Sequence, residues 1–179
     1  LFMFYRENVK RNARRVIFLA FVALSALIEN SAGARGIFSF KIIYMIPLVV
    51  SLGVFEKETC GLVYGIIGGA FIDVSSVSPD GLNALFFAFA GCTAGVLVHY
   101  VMKRNFISAF IITAVSSVVY ETMAWLIRVM IPVGDRGCAL LLSRYLPSAG
   151  LTVLILPVTY IITGLCMKYL KDKENIVIG

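Results

Sequence analysis

The fold is decided by residues 61–84, which read GLVYGIIGGAFIDVSSVSPDGLNA. An apolar run with four glycines ends here in the carboxylate of Asp73. Gly65, Gly69 and Asp73 are spaced by four residues, so on a helix they share one stripe, and Gly61 is a further candidate for helix packing. Glycine costs a helix about 1 kcal/mol relative to alanine, and the close approach of a second backbone is the usual compensation in membranes. The stripe therefore predicts a close helix–helix contact.

A polar turn follows Asp73 and leads into the next apolar run. The turn contains serines, a proline and an aspartate, and Gly81-Leu82-Asn83-Ala84 starts the next run. Two interpretations of Asp73 stay open at this point. Its carboxylate either caps the local turn or accepts hydrogen bonds from a neighbouring helix or a partner subunit.

The composition predicts an integral membrane protein of one domain. Of the 179 residues, 60% are hydrophobic and 15% are charged, and the mean hydropathy is +0.92. A soluble domain is about half apolar and a quarter charged. The net charge of +6 is carried by basic residues at segment ends, which indicates membrane topology rather than nucleic-acid binding. The four cysteines are scattered, so neither a disulfide framework nor a zinc site is predicted.

Six apolar runs predict six transmembrane helices, at residues 16–28, 37–55, 59–74, 82–102, 106–131 and 151–169. A span needs about 20 residues, which the fourth and fifth runs provide and the others reach with their flanks. Pro47 predicts a kink in the second run. The predicted fold class is an all-α polytopic membrane protein with six helices in one bundle. Residues 1–15 form a basic cytoplasmic segment, residues 16–169 the transmembrane domain and residues 170–179 a cytoplasmic tail.

The start of the chain has a second interpretation. Its basic residues, a short apolar core and Ala32-x-Ala34 resemble a cleavable signal peptide. However, the polar segment between the core and the small residues is longer than usual, and the rest of the chain is itself polytopic. An uncleaved first helix is therefore favoured.

The distribution of lysine and arginine predicts that both termini are cytoplasmic. Eleven of the 16 basic residues fall at the ends on the side of the N-terminus: Arg6, Lys10, Arg11, Arg14, Arg15, Lys57, Lys103, Arg104, Lys168, Lys171 and Lys173. Five fall on the other side: Arg35, Lys41, Arg128, Arg136 and Arg144. This orientation places the turn after Asp73 on the outer side of the membrane.

No catalytic constellation is found in the sequence. The single histidine, His99, lies at the end of the fourth run, one turn before Lys103, where an interfacial role is expected. The serines are in no nucleophile elbow, and no phosphate-binding loop or dinucleotide fingerprint is present. The chain is therefore predicted not to be an enzyme and to need no cofactor or metal.

Two charged residues fall within the fifth run, Glu121 and Arg128. An unpaired ionised acid in the membrane costs at least a few kcal/mol, so Glu121 is expected to face the bundle interior or a partner. Arg128 is seven residues further on, on the same face and about 10 Å away. The two are expected to share a polar network through water or a third group.

These residues carry a resemblance to the MreD family of rod shape-determining proteins. The shared features are Gly65-x-x-x-Gly69-x-x-x-Asp73, the serine-containing turn, Gly81-x-Asn83-Ala84-Leu85, the six-helix layout and the basic tail. An acid after an aliphatic and serine run, here Glu121, is similar to the family pattern, as is residues 146–149 (LPSA) before the last helix. Members often carry an asparagine just after that segment, where this chain departs from the pattern with Leu151-Thr152.

The resemblance implies a non-catalytic scaffold of the bacterial cell-elongation complex in the cytoplasmic membrane. The implied partners are MreC, the MreB filament (directly or indirectly), and the RodA and class B penicillin-binding protein pair, beside the lipid bilayer. The implied fold is similar to the substrate-binding S components of energy-coupling-factor vitamin transporters. Such an S component is also the alternative function, with Glu121 and Arg128 lining a vitamin pocket. Against it, Ala20, Ala23 and Ala26 are spaced by three, whereas the coupling subunit commonly docks on Ala-x-x-x-Ala.

Overall fold

The computed structural model describes residues 2–33, 42–75, 81–130 and 141–175, and this part of the chain is helical apart from short connections. Its six α-helices, in chain order from α1 to α6, are Phe2–Gly33, Met45–Phe55, Glu58–Ser75, Leu82–Tyr100, Phe106–Trp125 and Leu146–Asn175. Two π-helical turns lie on either side of residues 131–140, which are outside the described part. Leu126–Met130 continues α5, and Leu141–Tyr145 leads into α6.

The short helix α2 lies at the centre of the bundle. Every residue from Met45 to Val54 is buried, and α2 contacts each of the other five helices. The apolar side chains of α2 therefore pack against protein rather than lipid. Its 11 residues extend about 16 Å, roughly half of a bilayer core.

The boundaries of α2 differ from those that hydropathy predicts. The second run was expected to be helical over residues 37–55, but residues 42–44 are not helical and α2 begins only at Met45. Residues 37–41 lie outside the described part. Pro47 is in the first turn of α2, where proline removes no intrahelical hydrogen bond. No kink is therefore required at Pro47.

Three stretches are long and apolar enough to cross a membrane, judged by length and composition over the described residues: Leu82–Tyr100, Phe106–Trp125 and Leu141–Tyr169. Their outward-facing side chains are large and apolar, as exposed Leu85, Phe89 and Leu154 illustrate. The structure is thus compatible with an α-helical membrane protein. Six spans remain a prediction.

Both ends of the predicted transmembrane domain continue as helix. Helix α1 begins at Phe2 and α6 reaches Asn175, so the described residues of the two predicted cytoplasmic segments extend these helices. Helix α6 begins at Leu146 rather than at residue 151. Residues 146–149, expected before the last helix, form its first turn, where proline at the second position is well tolerated.

Candidate functional site

The glycine stripe of α3 lies against the backbone of α4. A Cβ atom added to any of the three glycines would collide with main-chain atoms of that helix; the pairs are Gly61 with Gly91, Gly65 with Phe87, and Gly69 with Ala84. The pairing runs in opposite directions along the two helices, so α3 and α4 form an antiparallel hairpin. No larger side chain fits between them without separating the backbones. The stripe therefore makes a contact within the chain.

A second set of glycines, on α4 and α2, completes this contact. Gly91 and Gly95 are spaced by four residues and face α3, where Gly95 lies against the backbone of Glu58. Gly53 of α2 lies against both Gly91 and Gly61. Three glycines thus meet where α2, α3 and α4 approach one another. The spacing of Gly91 and Gly95 in the sequence indicates a second glycine stripe on α4, which the sequence analysis did not predict.

Asp73 ends the stripe and binds the first turn of α4. Its Oδ1 accepts hydrogen bonds from the side-chain amide of Asn83 at 2.8 Å and from the Asn83 backbone N–H at 3.4 Å. Its Oδ2 accepts one from the Ala84 backbone N–H at 2.9 Å. Asp73 and Asn83 are only 6% and 4% exposed. Of the two interpretations left open by the sequence, the structure shows hydrogen bonds from a neighbouring helix of the same chain.

This arrangement replaces an ordinary N-cap. The first N–H groups of a helix have no acceptor within the helix, and a Ser, Thr, Asp or Asn side chain at the N-cap usually accepts their hydrogen bonds. The N-cap of α4 is Gly81, whose φ of 68° is a conformation that glycine adopts readily. Because glycine has no side chain to offer, Asp73 supplies the carboxylate from α3. The negative charge is also favourable at the positive end of the helix dipole.

Tyr120 extends the network to α5. Its hydroxyl donates a hydrogen bond to Oδ1 of Asn83 at 2.5 Å, so the amide of Asn83 is bound at both ends. The ring of Tyr120 stacks on Phe87 and meets Phe86 edge-on, with centroid separations of 5.5 and 5.1 Å. We call Asp73, Asn83 and Tyr120 the Asp73 clamp. It joins α3, α4 and α5 at one end of the bundle. Sequence reasoning missed Tyr120, whose only signal was a hydroxyl beside Glu121 in an apolar run.

The structure describes the side chain of only one of the two charged residues of the fifth run. Glu121 follows Tyr120 and is buried, with 5% of its surface exposed. Arg128 falls on the π-helical turn that continues α5, and its side chain lies outside the described part. The predicted polar network between Glu121 and Arg128 therefore stays a prediction.

A second acid accepts a backbone hydrogen bond at the start of α2, at the same end of the bundle. Oε2 of the buried residue Glu29 accepts a hydrogen bond from the backbone N–H of Met45 at 3.3 Å. The hydroxyl of Thr152 accepts one from the backbone N–H of Ile43 at 3.2 Å and donates to the carbonyl of Ser148 at 3.0 Å. Side chains of α1 and α6 thus satisfy the backbone where the chain enters the central helix. Neither role was predicted from the sequence.

The acids of this site serve as hydrogen-bond acceptors for backbone N–H groups at the starts of helices. Asp73 and Glu29 both accept backbone N–H hydrogen bonds, and no nucleophile with an adjacent base is formed by the contacts described above. Over residues 14–31, 42–75, 81–127 and 141–169, no three His, Cys, Asp or Glu side chains gather in a way that would hold a metal ion. His99 is exposed and its ring meets that of Tyr100. The arrangement positions the helices of the bundle relative to one another.

Comparison with known proteins adds no assignment. No family model matches the chain, and neither a curated protein nor a solved structure matches it significantly.

Proposed function

We propose that this chain is a non-catalytic membrane scaffold subunit of the bacterial cell-elongation complex, of the MreD type. In that role it links MreC and MreB to the RodA and class B penicillin-binding protein synthases. One observation carries the proposal. The residues on which the resemblance depends form a single unit in the α3–α4 hairpin: Gly65, Gly69, Asp73, Gly81 and Asn83. Gly65, Gly69, Asp73 and Asn83 make contacts between α3 and α4, and Gly81 allows the turn with which α4 begins.

The clamp suits a scaffold better than a reaction centre. Both oxygens of the Asp73 carboxylate accept hydrogen bonds from α4, which disfavours a role as a general base. The glycine contacts and the clamp together hold four helices, α2 to α5, in fixed relative positions. A rigid bundle with a defined outer shape is what a subunit needs when its task is to position partners.

The proposal also includes the placement of the bundle in the membrane and its orientation. We place the six-helix bundle in the cytoplasmic membrane, with both termini inside and a fold similar to that of the S components; α2 covers only about half of the bilayer core. The Asp73 clamp then lies at the outer end of the bundle. The extracytoplasmic domains that the family resemblance implies for MreC and the synthases are on that side.

A vitamin-binding S component is the second candidate. The observation in its favour is that two acids, Glu29 on α1 and Glu121 on α5, are both buried near the ends of these helices that the proposal places outside. Against it, one oxygen of Glu29 is bound to the start of α2. Binding of a water-soluble vitamin by the purified chain, measured by isothermal titration, decides between the two candidates.

The proposal is tested by depleting the chain in its own bacterial host. Loss of the protein is expected to turn rods into rounded cells, and re-expression of the wild type is expected to restore rods. Ser75→Ala is a control variant, because the exposed Ser75 hydroxyl donates to the carbonyl of Phe71 in its own helix. It should restore rods as the wild type does. Rod-shaped growth after complete depletion would contradict the proposal.

A further inference from the structure

Three aromatic residues join helix ends on the side opposite the Asp73 clamp. Phe55, the last residue of α2, lies 4.7 Å from Tyr160 of α6, measured between ring centroids. Tyr160 meets Phe106, the first residue of α5, edge-on at 5.4 Å. Gly164 leaves room for this cluster, since a Cβ there would lie 3.2 Å from the Phe55 ring. We call Phe55, Tyr160 and Phe106 the aromatic platform.

Arg104 lies on this platform with its charge exposed. Its Cζ is 4.6 Å from the centroid of the Phe55 ring, within the range of a cation–π contact. Over the part of the chain whose side chains are described, the ion pair found is that of Arg14 with Glu56, at 2.9 Å. The acid that follows Phe55 is therefore already paired with α1. Arg104 is held in position by an aromatic ring, which orients the guanidinium without neutralising it.

Further cations lie next to the platform residues along the chain. Lys103 precedes it and Lys57 lies two residues after Phe55; both are exposed. Lys168 is also exposed, and its spacing of four from Gly164 places it on the stripe of α6 that faces Phe55. Among the side chains described around the platform, Glu58, partly buried in the first turn of α3, is the opposing charge. Cations outnumber free acids within this described set, which favours the attraction of anions.

The surface next to the platform is apolar. Phe106 and Phe110, one turn apart on α5, are 40% and 45% exposed, and their rings are 6.4 Å apart. A phosphate-binding cation beside an exposed apolar helix surface matches both parts of a phospholipid. An acidic peptide would match the cations but would leave the aromatic side chains of α5 uncovered.

We propose that Arg104, oriented by the aromatic platform, binds the phosphate of an anionic phospholipid whose acyl chains lie along Phe106 and Phe110. This inference rests on the proposed function only in placing the Arg104 end at the cytoplasmic leaflet. Basic pockets between transmembrane helices on that side bind anionic headgroups. Such a lipid would lie beside the junction of α2, α5 and α6.

Native mass spectrometry of the purified full-length chain tests the site. The chain is equilibrated with equal amounts of phosphatidylglycerol and phosphatidylcholine, and the bound lipid is counted. The wild type is expected to retain mainly phosphatidylglycerol, and Arg104→Ala about fivefold less of it. Arg144→Ala is the matched control, because Arg144 is an exposed arginine on the π-helical turn before α6. It should bind as the wild type does.

Arg104→Lys is a second variant that separates loss of lipid binding from loss of folding. It keeps the charge but loses the planar contact with the ring, so its retention should fall between those of the wild type and the alanine variant at an unchanged melting temperature. Equal phosphatidylglycerol retention by Arg104→Ala and the wild type would overturn the proposal. So would displacement of the lipid by inorganic phosphate or soluble polyglutamate at equal concentration, which would indicate a general anion site. Cell shape enters none of these measurements, so this test and that of the scaffold function fail independently.

Discussion

Replacement of Asp73 by alanine should destabilise the end of the bundle at which the Asp73 clamp lies. The change removes the acceptor of three hydrogen bonds, of which those from the Asn83 amide and the Ala84 N–H are short, at 2.8 and 2.9 Å. The third, from the Asn83 N–H, is 3.4 Å long and contributes little. Because the site is buried, water does not readily replace the lost acceptor.

The expected loss of stability follows from the two short bonds. Leaving a buried donor unsatisfied costs about 1–3 kcal/mol, and loss of a helix N-cap costs about 1 kcal/mol. These two estimates overlap, because the Ala84 N–H is itself the capped group. The free energy of unfolding should therefore fall by about 2–4 kcal/mol. Asp73→Asn keeps one acceptor oxygen and should lose roughly half of that.

Reversible unfolding in mixed micelles of mild and denaturing detergent measures this change. The single tryptophan, Trp125, is a convenient probe because it is buried on α5 one turn after Tyr120. Ser75→Ala is the reference, since it alters an exposed hydroxyl two residues away. If Asp73→Ala and Ser75→Ala unfold at the same detergent fraction, the capping argument is wrong.

Three further predictions follow from the same contacts. Tyr120→Phe removes the hydroxyl that donates to Asn83 and should cost about 1–2 kcal/mol in the same assay; a double-mutant cycle with Asn83→Ala should show coupling, whereas strict additivity would argue against the hydrogen bond. Gly91→Leu collides with the Gly61 backbone and should lower the free energy of unfolding by about 3 kcal/mol or more, the upper end of overpacking. Gly150→Leu is its control and should unfold like the wild type, because a Cβ added there meets no described atom within 4 Å. Glu29→Ala leaves the Met45 N–H without its carboxylate acceptor and should cost about 1–3 kcal/mol; unchanged stability would remove Glu29 from the account of how α2 is held.

Part of this structure could be predicted from local spacing. The stripe of Gly65, Gly69 and Asp73 is a property of one helix, and its period of four residues indicates a close neighbour without saying which helix that is. The partner is α4, the next helix in the chain, which a short turn makes the first choice. Gly91 and Gly95 carry the complementary spacing, so a fuller reading of the sequence would have paired the two helices.

The central position of α2 could not be predicted in this way. Hydropathy reports that residues 37–55 avoid water, but a side chain buried among other helices and one that faces lipid are equally apolar. The helix proved to be shorter than the apolar run and enclosed by five others. The roles of Tyr120 and Glu29 were also out of reach. Each depends on a contact with another helix, 37 residues from Tyr120 and 16 from Glu29, that no spacing within one helix encodes.

The scaffold claim is tested most directly by asking whether the chain binds MreC. The tagged full-length protein is purified from gently solubilised membranes of its own host after brief cross-linking, and MreC is quantified in the eluate. A tagged, unrelated polytopic membrane protein at the same expression level is the control. We predict that MreC elutes with this chain in comparable amount and is absent from the control. A folded chain that elutes without MreC would contradict the account.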